Sequence, residues 1–166
     1  MGKFILLKSN GREVLMWKAH LEEIRKIEKK YGDDLNKPAS IDAIKELEQS
    51  VQEKFYSAVL PEGYKQFLSA VNGLDFNGLV IYGVDSSISE HEADEEIHGL
   101  IETNELWHEN DWKKKYLFFG DSDVSLYCLD TAQGKYLELD KPSGTTMSEY
   151  ENFNSMLEEA LRTSLS

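Results

Sequence analysis

The chain is predicted to fold as an α+β domain. N-terminal helices and a C-terminal helix should pack on one face of a mainly antiparallel or mixed β-sheet. Three observations predict this. Apolar residues recur at helical spacing three times before Asn72. Short strand-like runs, punctuated by Gly, Pro, Asn and Asp, fill most of the chain after Leu79. A last amphipathic stripe closes the chain from Phe153 to Leu161.

At the start, FILLKSNGREVLMW carries Asn10-Gly11 between two apolar runs, a hairpin signal. The second run fits the start of a helix equally well. Trp17, Leu21, Ile24, Ile27 and Tyr31 then mark one helical face, and Gly32 is placed to end it. Ser40 can cap a second helix whose face is Ile41, Ile44, Leu47, Val51 and Phe55. Leu60-Pro61 opens a third, since proline loses nothing in a first helical turn. Its stripe is Tyr64, Phe67, Leu68 and Val71, and Asn72-Gly73 should supply a left-handed terminal turn. Leu79 to Gly83 reads as a buried strand.

From Asp85 to Asp111 the chain is acidic. Its first part reads as loop or a short helix, and ETNELWHEN reads as helix. Tyr116 to Phe119 is a strand ended by Gly120. Leu126–Leu129 and Lys135–Leu139 form a hairpin around Thr131–Gly134. Lys141-Pro142-Ser143-Gly144 is a turn signal. Ser148 with Glu151 is a capping box for a helix carrying Tyr150, Phe153, Leu157, Ala160 and Leu161 inward.

With 166 residues the chain reads as a single domain, 1–166, large enough for a core without disulfides or metal. The single cysteine, Cys128, excludes an internal disulfide framework and reads as a buried apolar residue. No leader and no spanning apolar run is seen, so the expected location is cytoplasmic. Acidic residues number 31 against 18 basic, a net −13. The window Asp85–Asp111 holds ten carboxylates and no Lys or Arg, so it carries most of that excess. Direct nucleic-acid binding is disfavoured, because phosphate neutralisation needs cations. The window reads either as a solvated loop or as a surface for a basic partner.

Catalytic and metal patterns are weak. His91 and His98 in EHEADEEIH lack the His-Glu-x-x-His spacing and a complete ligand set, so no metal and no cofactor is expected. Asp121 and Asp123 in FFGDSDV suit a turn better than acid–base work. Ser122 and Ser125 have no histidine nearby in sequence, and no glycine-rich phosphate loop is present. Trp107 and Trp112 in NELWHENDW offer either core packing or an aromatic interface anchor.

Leu60-Pro61, Tyr64-Lys65-Xaa-Phe67-Leu68 and Asn72-Gly73 together resemble the central signature of the SUKH superfamily. That group takes in the yeast cell-wall assembly regulator and many bacterial immunity proteins. Asp75 to Gly83 is similar to its YrhA-like branch, as are Phe118-Phe119-Gly120-Asp121-Ser122-Asp123 and Asp140 to Gly144. The chain departs from many members in having Ser122-Asp123-Val124-Ser125 where they carry a glycine-rich turn. The resemblance runs from Trp17 to Leu161. Residues 1–15 lie outside it as an N-terminal extension, with Met16 an alternative start.

The resemblance implies no shared catalytic machinery. It implies a mixed sheet with helices on one side, and a surface that binds and neutralises a toxin, often a nuclease. Joined to the charge pattern, it makes Glu92, Asp94, Glu95, Glu96, Glu102, Glu105, Trp107 and Glu109 the candidate partner-binding residues. The expected partner is a basic protein, neither nucleic acid nor membrane. The competing expectations are a regulatory binding protein with no toxin, and a small metal-dependent hydrolase using Asp121 and Asp123.

Overall fold

Asn77 and Gly78 both take positive φ, 49° and 82°, the pairing that a tight two-residue hairpin turn requires. They join Leu74–Phe76 to Leu79–Ile81 and so begin a six-stranded antiparallel meander. The computed structural model describes residues 15–55, 58–88 and 97–166, with the backbone of 8–9 and 12–13. A small hairpin comes first, β1 (Lys8–Ser9) and β2 (Arg12–Glu13), so the Asn10-Gly11 signal is met. The sheet is then β3 (Leu74–Phe76), β4 (Leu79–Ile81), β5 (Tyr116–Asp121), β6 (Ser125–Asp130), β7 (Lys135–Asp140) and β8 (Thr146–Tyr150). Each strand pairs with the next in sequence. The helices are α1 (Met16–Lys30), α2 (Ile41–Lys54), α3 (Glu62–Ala70), α4 (Leu100–Trp107) and α5 (Phe153–Leu165). The α+β class is thus the observed one, with one continuous core shared by the sheet and helices. Among the described residues no helix is long and apolar enough to cross a membrane.

The stripe of the third helix lies at the centre of that core. Tyr64, Phe67, Leu68 and Val71 are fully buried. The Tyr64 ring packs on Phe119 of β5 and Phe153 of α5, with centroids 5.1 and 5.6 Å away. Phe67 receives the edge of Trp17 from α1 at 5.8 Å. Helix α5 lies on β4, β7 and β8, α1 packs along α5, and α2 packs on α3. Gly32, at φ 85°, ends α1, and the Ser40 hydroxyl caps α2 by accepting from the Ala43 N–H at 3.1 Å. Cys128 is buried on β6, where burial pushes its thiol pKa up. In the departure segment, the Ser122 hydroxyl accepts from the N–H groups of Val124 and Ser125, closing the β5–β6 turn without glycine.

Several expectations need correction. Tyr31 and Ile41 are 75 % and 70 % exposed, because they stand at the ends of their helices, past the point where the stripe meets a neighbour. Pro61 occupies the cap position of α3 and not its first turn. Asn72 is no left-handed cap. It is buried and extends its side-chain oxygen to the Val84 N–H at 2.8 Å, while only Gly73 turns left-handed. Ser148 and Tyr150 belong to the edge strand β8, so the capping box does not form; Asn152 caps α5 instead, accepting from the Ser155 N–H at 2.9 Å. Helix α4 stands beside β5, as described next.

Candidate partner-binding surface

The base of the acidic window is a built structure. Gly83 and Gly99 form an isolated parallel bridge, with Gly83 N–H donating to His98 O and Leu100 N–H donating to Gly83 O, both at 2.9 Å. The buried Asp85 carboxylate accepts from the N–H groups of Ile101 and Glu102 at 3.0 and 2.9 Å. These are donors that the first turn of any helix leaves open, and a carboxylate also suits the positive end of the helix dipole. Gly99 is required here, because a Cβ at that position would collide with the Asp85 carboxylate. Burial raises the Asp85 pKa, and the two helix N–H groups oppose the rise.

Helix α4 is then held against β5 by Asn104. Strand β4 pairs with β5 only at Asp121 and Gly120, so the earlier half of β5 has an open edge. The buried Asn104 amide fills it. It donates to Phe118 O at 2.9 Å and accepts from Phe118 N–H at 2.8 Å, as a neighbouring strand would. A signal for this existed in the sequence, since Leu100, Ile101, Asn104, Trp107 and His108 lie on one helical stripe.

The candidate residues fall into distinct environments. Glu92, Asp94, Glu95 and Glu96 lie outside the described residues. Glu102 and Glu109 are exposed and have no cationic partner among the described residues. Glu105 is exposed but bound to Lys54 at 2.9 Å, and Asp111 to Lys114 at 2.9 Å. Asp85 is buried and structural. The described part of the window is therefore less negative than its composition suggests.

Trp107 is half-buried and packs inward, against Phe118 at 6.1 Å. Its indole N–H donates to the Tyr82 hydroxyl at 2.9 Å, and that hydroxyl donates to Asp121 at 2.5 Å. Lys141 donates to the other Asp121 oxygen at 3.0 Å and to Ser122 O at 2.9 Å. Burial, and then the Asp121 charge, pushes the Tyr82 phenol pKa up. The neighbours of Trp107 are thus lysines and not carboxylates: Lys113 lies 4.3 Å and Lys141 5.9 Å from its ring centroid. Trp112, in a short 3-10 helix (Asp111–Lys113), is 39 % exposed.

With this geometry in view, comparison with known families is decisive. Residues 38–159 match the profile of the SMI1 / KNR4 family (SUKH-1). The chain belongs to that family. The SUKH match spans α2 through most of α5 and takes in the whole sheet, the Asp85 clamp and α4. Helix α1 precedes it, although Trp17 is part of the same core. No curated protein matches the chain.

The same geometry bears on other chemistry in this SUKH chain. Among the described residues no three His, Cys, Asp or Glu side chains cluster as a metal site; His91 lies outside those residues. A cleft of about 460 Å³ beside α4 is lined by Lys54, Phe55, Glu105, His108, Lys114 and Tyr116. Its polar groups are engaged: Lys54 with Glu105, Lys114 with Asp111, and the His108 ring with Tyr116 O at 2.8 Å.

Proposed function

We propose that this protein is a non-catalytic binding domain that neutralises a cognate basic toxin, such as a nuclease, by direct contact through the acidic window. The observation that carries this reading is the free charge on a rigid support. Glu102 on α4 and Glu109 in the turn that follows it have no cationic partners among the described residues, while Asp85 and Asn104 fix the helix. Like charges placed together lower stability unless a cationic partner is met. Membership of the SUKH family supports an immunity-type role, and Asp75–Gly83 supports a place in its YrhA-like branch. The non-catalytic part of the reading is supported by Asp121, whose two oxygens are occupied by Tyr82 and Lys141.

Nucleases are commonly basic where they grip phosphate, so an acidic face can occupy that surface in its place. Attraction of this kind speeds association and is screened over a Debye length of ~8 Å at physiological ionic strength. The test is co-expression with the toxin domain of a neighbouring gene. Reversal of Glu92, Asp94, Glu95, Glu96, Glu102 and Glu109 to lysine should slow association, remove its salt dependence and abolish protection. Unchanged protection would remove the acidic window from the mechanism. Failure of the wild type to bind any neighbouring gene product would favour a regulatory protein without a toxin.

A further inference from the structure

Lys113 is 6 % exposed: its stem is buried, while its ammonium, which makes no hydrogen bond among the described residues, still reaches solvent. Among the described residues no carboxylate pairs with its ammonium. It lies instead between two indoles, 4.3 Å from the Trp107 centroid and 5.1 Å from that of Trp112. Lys141 adds a second positive charge 5.9 Å from the Trp107 centroid, and among the described residues Asp121 is the carboxylate bonded to it. Among the described residues, two ammonium groups stand against one carboxylate, a single net positive charge. The Trp112 indole N–H also has no acceptor among the described residues, and its ring is partly open to solvent. The ring is held from below by Gly144, where φ is 74° and a Cβ would stand 2.6 Å from the indole.

We propose that Lys113, Trp112 and Lys141 form a receptor for one carboxylate, an aspartate or glutamate side chain of a protein partner. The site offers a cation and an unused N–H donor against aromatic walls that lower the local dielectric, where a charge-assisted bond is strongest. Trp107 is pinned by Tyr82 and Trp112 by the Gly144 turn, so little ordering remains to be done on binding. A single net positive charge matches a monoanion, and the −13 of the whole chain opposes a polyanion. The occupant being a protein rests on the binding function proposed above; the site itself does not.

The experiment needs no toxin, so its failure and that of the neutralising function are separable. The ¹⁵N-labelled full chain is titrated with N-acetyl-glutamate methylamide, its glutamine counterpart and inorganic phosphate, at constant ionic strength. The Trp112 indole N–H signal should shift saturably with the glutamate probe only. Lys113→Met should weaken that probe by about tenfold or more, and Lys113→Arg should retain it. Equal shifts with the glutamine probe, or undiminished binding by a folded Lys113→Met, would overturn the proposal. So would tighter binding of phosphate, which would mark a general oxyanion site. Should both Lys113 variants lose the native spectrum, Trp112→Ala carries the test, read in wild type and variant at the Trp107 indole N–H beside Lys113, and unchanged affinity there overturns the receptor.

Discussion

Replacing Asn104 with alanine should loosen the surface without touching any exposed group. The side chain is fully buried and closes the open edge of β5 through the N–H and C=O of Phe118, at 2.8 and 2.9 Å. Alanine leaves both backbone groups buried with no partner, since β4 has already turned away and pairs only with Gly120 and Asp121. Each such orphaned group costs about 1–3 kcal/mol, so the loss should total about 2–6 kcal/mol. For a chain of this size, each kcal/mol lowers Tm by about 2–4 °C, and a drop of about 8–16 °C is expected for a loss near the middle of that range. Denaturant melts followed by circular dichroism give the stability, and amide hydrogen exchange at Phe118 locates it. Exchange at Phe118 should rise more than at Cys128 on the paired strand β6. The exposed control Glu102→Ala should stay within about 0.5 kcal/mol of wild type. A Tm unchanged in Asn104→Ala, or a loss of stability with Phe118 still protected, would refute the strand-mimic role.

Other expectations follow from the same geometry. Phe67→Ala should cost about 3–5 kcal/mol, because the ring is fully buried against Trp17, and an unmoved denaturant midpoint would displace it from the core. Burial raises the Asp85 pKa above the ordinary aspartate value of 3.8. The folded chain therefore keeps a proton that the unfolded chain has released. The stability of wild type relative to Asp85→Asn should be greatest below pH 3.8 and fall as pH rises through the folded pKa. Denaturant midpoints across that range check the sign, and a difference that grows with pH would contradict it. Gly99→Ala should detach the N-terminus of α4 by driving a Cβ into the Asp85 carboxylate, read as faster exchange at Ile101 and Glu102.

Sequence alone determined much of this protein. Helical stripes placed α1, α2, α3 and α5, and turn residues placed the β6–β7 hairpin, because local periodicity reports which face must be buried. The Tyr64–Val71 stripe and the segments around it also carried the resemblance to SUKH, which the match over residues 38–159 bears out. The edge strands β3 and β8 were not legible. Three residues are too few to show alternation, and β8 is largely exposed, with an Asn-cap following that a Ser-x-x-Glu pattern obscured. Tertiary structure alone decided what the charges do. Asp85 reads as one more carboxylate in an acidic run until the fold sets two helix N–H groups against it. Glu105 reads as free until Lys54, distant in sequence, reaches it. Trp107 reads as ringed by acid until the 3-10 helix and the β7–β8 turn bring Lys113 and Lys141 close to its ring. Composition counts charges along the chain, but their energies depend on burial and on partners from other elements, and only the folded chain fixes those distances.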